Sequence, residues 1–211
     1  MTTDESASLF PIFLKLTGRA CLVVGAGSVV EAKIRSLMLT CARVHVVAPR
    51  ATPAVVEWAG SGSIRWDART FAPTDLEGMF LVIAATSSVE VNDLVFREAR
   101  RRGVLCNVVD DPARCDFYYP AVVRRGSLQI AVSTGGQSPA LAQRLRRELE
   151  NQFGPEYADW VEYLGQERRG LLARSTHSEY RRRLLHKQAG RKAFEAFRRR
   201  REAGVRGEES S

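Results

Sequence analysis

The chain has 211 residues, 45% apolar and 27% charged, a balance that excludes a disordered polymer and suffices for one ordinary domain with a smaller appendage. No apolar run approaches the ~18 residues of a membrane span, and the polar, acidic start Met1–Ser8 is unlike a secretory leader, so a cytoplasmic protein is expected. The net charge of +8 gathers late: residues 140–211 carry 17 Lys+Arg against 11 Asp+Glu, whereas residues 1–139 carry 15 against 13.

Cys21–Val24 is a short apolar, β-branched run that ends at Gly25-Ala26-Gly27, and Val29–Leu39 follows with helical spacing of Val29, Ile34, Leu37 and Met38. Val44–Val47 reads as a second strand, Val55–Ala59 as a short helix and Ile64–Trp66 as a short strand. Leu81–Ala85 is wholly apolar, which suits a strand buried on both faces. Val89–Arg102 reads as a helix and Val104–Val109 as a further strand. This alternation implies βαβ units and a parallel sheet, an α/β, Rossmann-like fold with its glycine turn at the carboxyl edge where such sheets bind ligands. After Asp111-Pro112 the pattern changes. Phe117–Val123 and Leu128–Val132 predict a hairpin turning over Arg124–Ser127, and Ser138-Pro139 opens a long helix with Ser as N-cap and Pro in the first turn. From Pro155 onward the pattern is helical, with breaks expected near Gly165 and Gly170 and disorder from Gly204 to Ser211. The organisation expected is a nucleotide domain over 1–113, a small β-containing domain over 114–150 and a helical C-terminal domain with a basic tail over 151–211.

Three constellations carry chemistry. In Gly25-Ala26-Gly27-Ser28-Val29-Val30 the first glycine permits the tight turn and the second lets a pyrophosphate approach the backbone, with a helix N-terminus supplying amide donors. Val30 stands where a smaller residue usually allows close helix–strand packing, and Ala48-Pro49-Arg50 replaces the usual acidic residue after the second strand. An arginine there could accept a 2′-phosphate, so the motif leaves NAD and NADP open. Asn107-Val-Val-Asp110-Asp111-Pro112 ends another strand, where a carboxylate could take a proton while a hydride leaves the same substrate; spacing does not choose between Asp110 and Asp111, or exclude a plain turn. Ser133-Thr134-Gly135-Gly136-Gln137-Ser138 is a loop feeding a helix, suited to holding an anion, with Arg124, Arg125, Arg144 and Arg147 nearby. No histidine accompanies Ser133, which argues against a nucleophile. Cys21, Cys41, Cys106 and Cys115 show no Cys-x-x-Cys pairing, so free thiols, buried at Cys21 and Cys106, are expected and no metal site. The basic stripe Arg181–Arg183, Lys187, Arg191-Lys192 and Arg198–Arg201 would attract polyanions, but it lacks a nucleic-acid recognition motif and no nucleic-acid partner is expected.

Over residues 9–165 the chain resembles the precorrin-2 dehydrogenases of sirohaem synthesis, including the dehydrogenase–ferrochelatase half of sirohaem synthase. The resemblance rests on Phe10–Leu14, Gly18–Gly27, Val46–Pro49, Ile83–Thr86, Asn92, Cys106–Asp110, Phe117, Pro120-Ala121 and Ser133–Ala140. It implies an NAD domain, a dimerisation domain whose strands intertwine with a second subunit, and a helical C-terminal domain. It also implies NAD-dependent oxidation of precorrin-2 to sirohydrochlorin, with a homodimer and a polycarboxylate tetrapyrrole as partners. The family's essential aspartate falls on Asp110 and its nucleotide contacts on Ser28-Val29 and Pro49-Arg50, with Gly25, Gly27 and Thr86 beside them. Asn107, Arg124 and Ser133–Gly136 are the residues expected to meet substrate. Thr134 stands where some members carry serine, and Val30 and Ala32 depart from the family pattern. The alternatives are metal insertion into sirohydrochlorin, as sole or second activity, and a non-enzymatic NAD-sensing module.

Overall fold

The computed structural model describes residues 9–174 and 176–208, with side chains as far as Arg201. Its elements fall into two compact units, one ending at Tyr119 and the other starting at Pro120. In the first, β1 (Ala20–Val24), β2 (Arg43–Val47), β3 (Arg65–Asp67), β4 (Leu81–Ala84) and β5 (Leu105–Val108) form one parallel sheet in the order β3-β2-β1-β4-β5. The helices are α1 (Ser28–Met38), α2 (Pro53–Gly60) and α3 (Val89–Arg102), with 3-10 turns at Pro73–Leu76 and Pro112–Arg114.

The side-chain alternation of β1 explains why this sheet needs cover on both sides. Cys21 and Val23 point to one face, where Val30, Ile34 and Leu37 of α1 and Val55 of α2 pack. Leu22 and Val24 point to the other, against Leu76 and against Val95 and Ala99 of α3. Every residue of β4 is buried, as its unbroken apolar run requires. Burial pushes the thiol of Cys21 up to about 11 and that of Cys106 up to about 12, so both are neutral packing groups. Val30 is 1% exposed and belongs to this core, so the larger residue is accommodated at the helix–strand contact.

Local signals set the helix ends. Ser88 caps α3, its Oγ accepting from the Val91 amide at 3.2 Å, and Gly103 closes it in the left-handed region at φ 67°. After α1 that left-handed place falls to Cys41, at φ 57°, whose amide donates to the Met38 carbonyl and whose carbonyl accepts from Gly18. An L-residue is disfavoured there relative to glycine. Cys41→Gly is expected to stabilise the protein by about 0.5–1 kcal/mol, read as a melting-point rise of roughly 1–4 °C.

Beyond β3, Asp75 is buried and receives two hydrogen bonds from Arg69, at 2.6 and 2.8 Å, and one from the Ala72 amide at 2.8 Å. This node fixes the Thr70-Phe71 segment. Burial alone would raise the Asp75 carboxyl, but the Arg69 and Ala72 bonds outweigh it and hold the pKa below its ordinary value. A depressed carboxyl contributes stability above the unfolded pKa of about 3.9 and loses it as pH falls through the lower folded value. Asp75→Asn is therefore expected to cost about 2 kcal/mol at pH 7, and the melting-point gap from the parent is expected to close as pH falls below about 4.

In the second unit, β6 (Ala121–Arg125) and β7 (Leu128–Val132) form an antiparallel pair, followed by α4 (Pro139–Gln152), α5 (Tyr157–Arg174), α6 (Ser178–Gln188) and α7 (Arg191–Glu208). The hairpin starts later than the sequence predicts: Phe117–Pro120 lie outside it, and the strands turn over Gly126-Ser127 alone, with Gly126 at φ 54°. Gly165 and Gly170 do not break α5, and α7 continues through Gly204 to Glu208, with Glu209–Ser211 outside the described residues. Packing on either side of Gly165 holds α5: Trp160 and Tyr163 stack at 5.6 Å and meet Phe197 of α7 at 5.0 and 5.5 Å, and Glu167 accepts from Gln188 of α6 at 2.8 Å.

Candidate active site

The parallel sheet reverses its strand order between β1 and β4, and a cleft of about 760 Å³ opens at the carboxyl ends there. Its lining comes from the ends of β1, β2, β4 and β5 together with Thr70 and Phe71, and its charged members are Arg50 and Asp110. Among the described residues no helix is long and apolar enough to cross a membrane.

The two glycines of the first turn serve different needs. Gly25 has φ 107°, and a Cβ there would lie 2.4 Å from the Ala85 carbonyl oxygen, so the close approach of the turns after β1 and β4 demands glycine. Gly27 has φ −83°, open to any residue, and a Cβ there would meet nothing within 4 Å. The protein's own packing makes no demand for glycine at 27; room for a ligand beside the backbone does. Gly27 is the N-cap of α1 and no side chain caps that end, which leaves the Ser28 and Val29 amides and the positive end of the helix dipole facing the cleft. Val29 is 63% exposed. The turn therefore fits a pyrophosphate.

Thr86 follows β4 on the cleft wall and is held by Asn92, whose Oδ1 accepts from the Thr86 amide at 3.2 Å while its Nδ2 donates to the Thr86 carbonyl at 3.0 Å. At the end of β2, Pro49 and Arg50 line the cleft and are exposed; Ala48 behind them accepts from the indole of Trp66 at 3.0 Å. No carboxylate replaces the missing acid among the residues of that wall.

After β5 the two aspartates separate. Asp111 pairs with Arg114 at 2.8 Å, and Arg114 also reaches Asp93 of α3 at 3.2 Å. Asp110 lines the cleft, is exposed, has no ion-pair partner among the described residues and sits at φ 63°. A left-handed aspartate is tolerated by its short polar side chain but is held there by its surroundings. Asn107 does not reach the cleft. It is 6% exposed, and its Nδ2 donates to the Phe117 carbonyl at 2.8 Å and to the Cys115 sulfur, so its amide braces the returning chain against β5.

In the second unit, the Ser133–Gly136 loop is tied to itself. Ser133 Oγ accepts from the Gly135 amide at 3.2 Å, Thr134 Oγ1 from the Ser138 amide at 3.0 Å, and Ser138 Oγ caps α4 through Leu141. Gly135 and Gly136 are both left-handed, at φ 62° and 85°. Arg124 is exposed. Its neighbour Arg125, on the opposite face of β6, donates to the Phe153 and Glu150 carbonyls at 2.8 and 3.0 Å and so caps the end of α4. Asn92 enters the sequence reading only as a point of resemblance and Cys115 only as a free thiol; their bonds to backbone groups several residues away leave no signal of these roles in the sequence.

The NAD(P)-binding family model matches residues 12–121, and the model of the sirohaem biosynthesis protein central region matches residues 125–152. Siroheme synthase 3 of Aeromonas hydrophila is 40% identical over 180 residues, covering 85% of this chain and 38% of that protein. The siroheme synthase of Methylococcus capsulatus is 47% identical over 140 residues, covering 66% of this chain and 30% of that one. The chain thus spans well under half the length of these curated relatives. Among solved structures, SirC, a precorrin-2 dehydrogenase, superposes with a TM-score of 0.78 at 26% identity, covering 95% of this chain and 100% of that one.

Proposed function

Since the chain belongs to the NAD(P)-binding family, whose model spans residues 12–121, we propose that it oxidises precorrin-2 to sirohydrochlorin with NAD, in sirohaem or corrinoid biosynthesis. One observation carries the chemistry: Asp110, without an ion-pair partner among the described residues, stands in the cleft that the Gly25–Gly27 turn opens. Likeness to siroheme synthases and to a precorrin-2 dehydrogenase supports the substrate.

In this reading Gly25 and Gly27 shape the pyrophosphate turn, the Ser28 and Val29 amides donate to it, and Pro49, Arg50 and Thr86 line the nucleoside ends. When bound, the nicotinamide ring supplies a hydride acceptor. Asp110 accepts the proton that leaves the substrate with the hydride, so that one substrate loses two electrons and a proton reaches the carboxylate. Ser133, Thr134, Gly135, Gly136 and Arg124 are assigned to the substrate's carboxylates, for which backbone amides and a guanidinium are suitable partners. A homodimer is part of the same reading, as the resemblance to precorrin-2 dehydrogenases implies. A cytoplasmic setting agrees with four free cysteines.

The test is to mix purified protein, NAD and precorrin-2 and follow the absorbance of sirohydrochlorin and NADH together. Equal amounts of both are expected. Sirohydrochlorin at the no-enzyme rate, with no NADH, would overturn the reading.

A further inference from the structure

We propose that Cys115 is a positioning residue for Asp110: its thiol draws together the two ends of the turn that presents the carboxylate. The inference rests on the reading of Asp110 as the base and names what holds that base in place.

The turn runs from Val108 to Asp111, closed by the Asp111 amide donating to the Val108 carbonyl at 3.2 Å, with Asp110 in the left-handed region inside it. One backbone bond closes the turn itself, beside those of the Val109 amide to the Ala84 carbonyl at 2.9 Å and of the Arg114 amide to the Asp111 carbonyl at 3.0 Å, and they act on a conformation that an L-residue does not favour. The Cys115 sulfur lies 3.2 Å from the Val108 carbonyl oxygen and 3.2 Å from that of Asp111, so its single hydrogen is shared by the carbonyls on either side of Asp110. Asn107 Nδ2 donates to the same sulfur at 3.2 Å. The returning chain is clamped to β5 besides: the Asp116 amide donates to the Cys106 carbonyl, and the Cys106 amide to Asp116 Oδ2, both at 2.8 Å. Burial pushes the Cys115 thiol up, which keeps it protonated as a donor must be. A half-buried thiol that only filled space would not need two carbonyls at this distance. Its placement bears on rate because small displacements of a proton acceptor cost turnover steeply.

Cys115→Ala, and the volume-keeping Cys115→Val should the alanine variant not fold, remove the donor; Cys115→Ser retains it. With precorrin-2 and NAD, the donor-less variants are expected to lose about tenfold in kcat while the NAD dissociation constant stays within about twofold. Cys115→Ser is expected to recover most of the rate. In an Asp110→Asn background, Cys115→Ala is expected to add nothing, because two residues acting through one group are not additive. Unchanged kcat in the donor-less variants overturns the proposal. So do equal losses in the serine and donor-less variants that follow their melting points, since those describe packing alone. An Asp110→Asn protein as active as the parent overturns the reading of the base itself, and is recognised separately from either result.

Discussion

Asp110→Asn is expected to lower NADH formation from precorrin-2 by about 10²–10⁴-fold, the range for removing a general base, with NAD affinity within about twofold of the parent. The amide keeps the size of the side chain and its tolerance of a positive φ, so the turn survives and the proton acceptor is lost. Asp111→Asn is the paired control. Its carboxylate already serves Arg114, which also holds Asp93, so the substitution loosens the link to α3 and is expected to change kcat by less than about threefold. Steady-state kinetics on both variants, with NAD binding measured by calorimetry, decide the matter. Loss in Asp111→Asn with turnover retained in Asp110→Asn would move the base one residue along the chain.

The choice between these neighbours shows where sequence stops. Spacing places both at the end of β5, and what separates them is the partner each finds: Arg114, brought back by the 3-10 turn at Pro112–Arg114, claims one and leaves the other. The same holds for Arg124 and Arg125. Adjacent residues of a strand face opposite ways, and the face that meets α4 depends on a hairpin register the sequence does not display, so the buried cap is Arg125. Asn107, which the resemblance offers to the substrate, turns its side chain inward because Phe117 and Cys115 return alongside β5. Gly165 and Gly170 carry a local preference for ending a helix, but the contacts of α5 with α6 and α7 span more than 20 residues of sequence and override it. What was legible was local or periodic. The apolar runs of β1 and β4 demand burial on two faces, the 3.6-residue spacing of α1 supplies one cover, and βαβ chirality then places Gly25–Gly27 at the carboxyl edge.

Gly27→Asp is expected to abolish NAD binding, weakening it by at least about 100-fold, or ~2.7 kcal/mol, without destabilising the free protein. The backbone at 27 is extended, and a Cβ there meets nothing within 4 Å, so the fold has room for the change. Aspartate is also a good N-cap: its carboxylate can accept from the uncapped amides of α1 and sit favourably at the positive end of the helix. The melting point without cofactor is therefore expected to hold or to rise slightly. The cost falls on the ligand, because the carboxylate occupies the donors that a pyrophosphate needs and repels it with like charge. Saturating NAD raises the melting point of a protein that binds it, by a free energy set by the ratio of its concentration to the dissociation constant. That rise is expected for the parent and absent for the variant. Gly25→Ala makes the contrast within the same turn: its Cβ would lie 2.4 Å from the Ala85 oxygen, so it damages the fold before any ligand is added. A Gly27→Asp protein whose melting point still climbs with NAD as the parent's does would remove the pyrophosphate from this turn, and with it the placement of Asp110 beside the ring that takes the hydride.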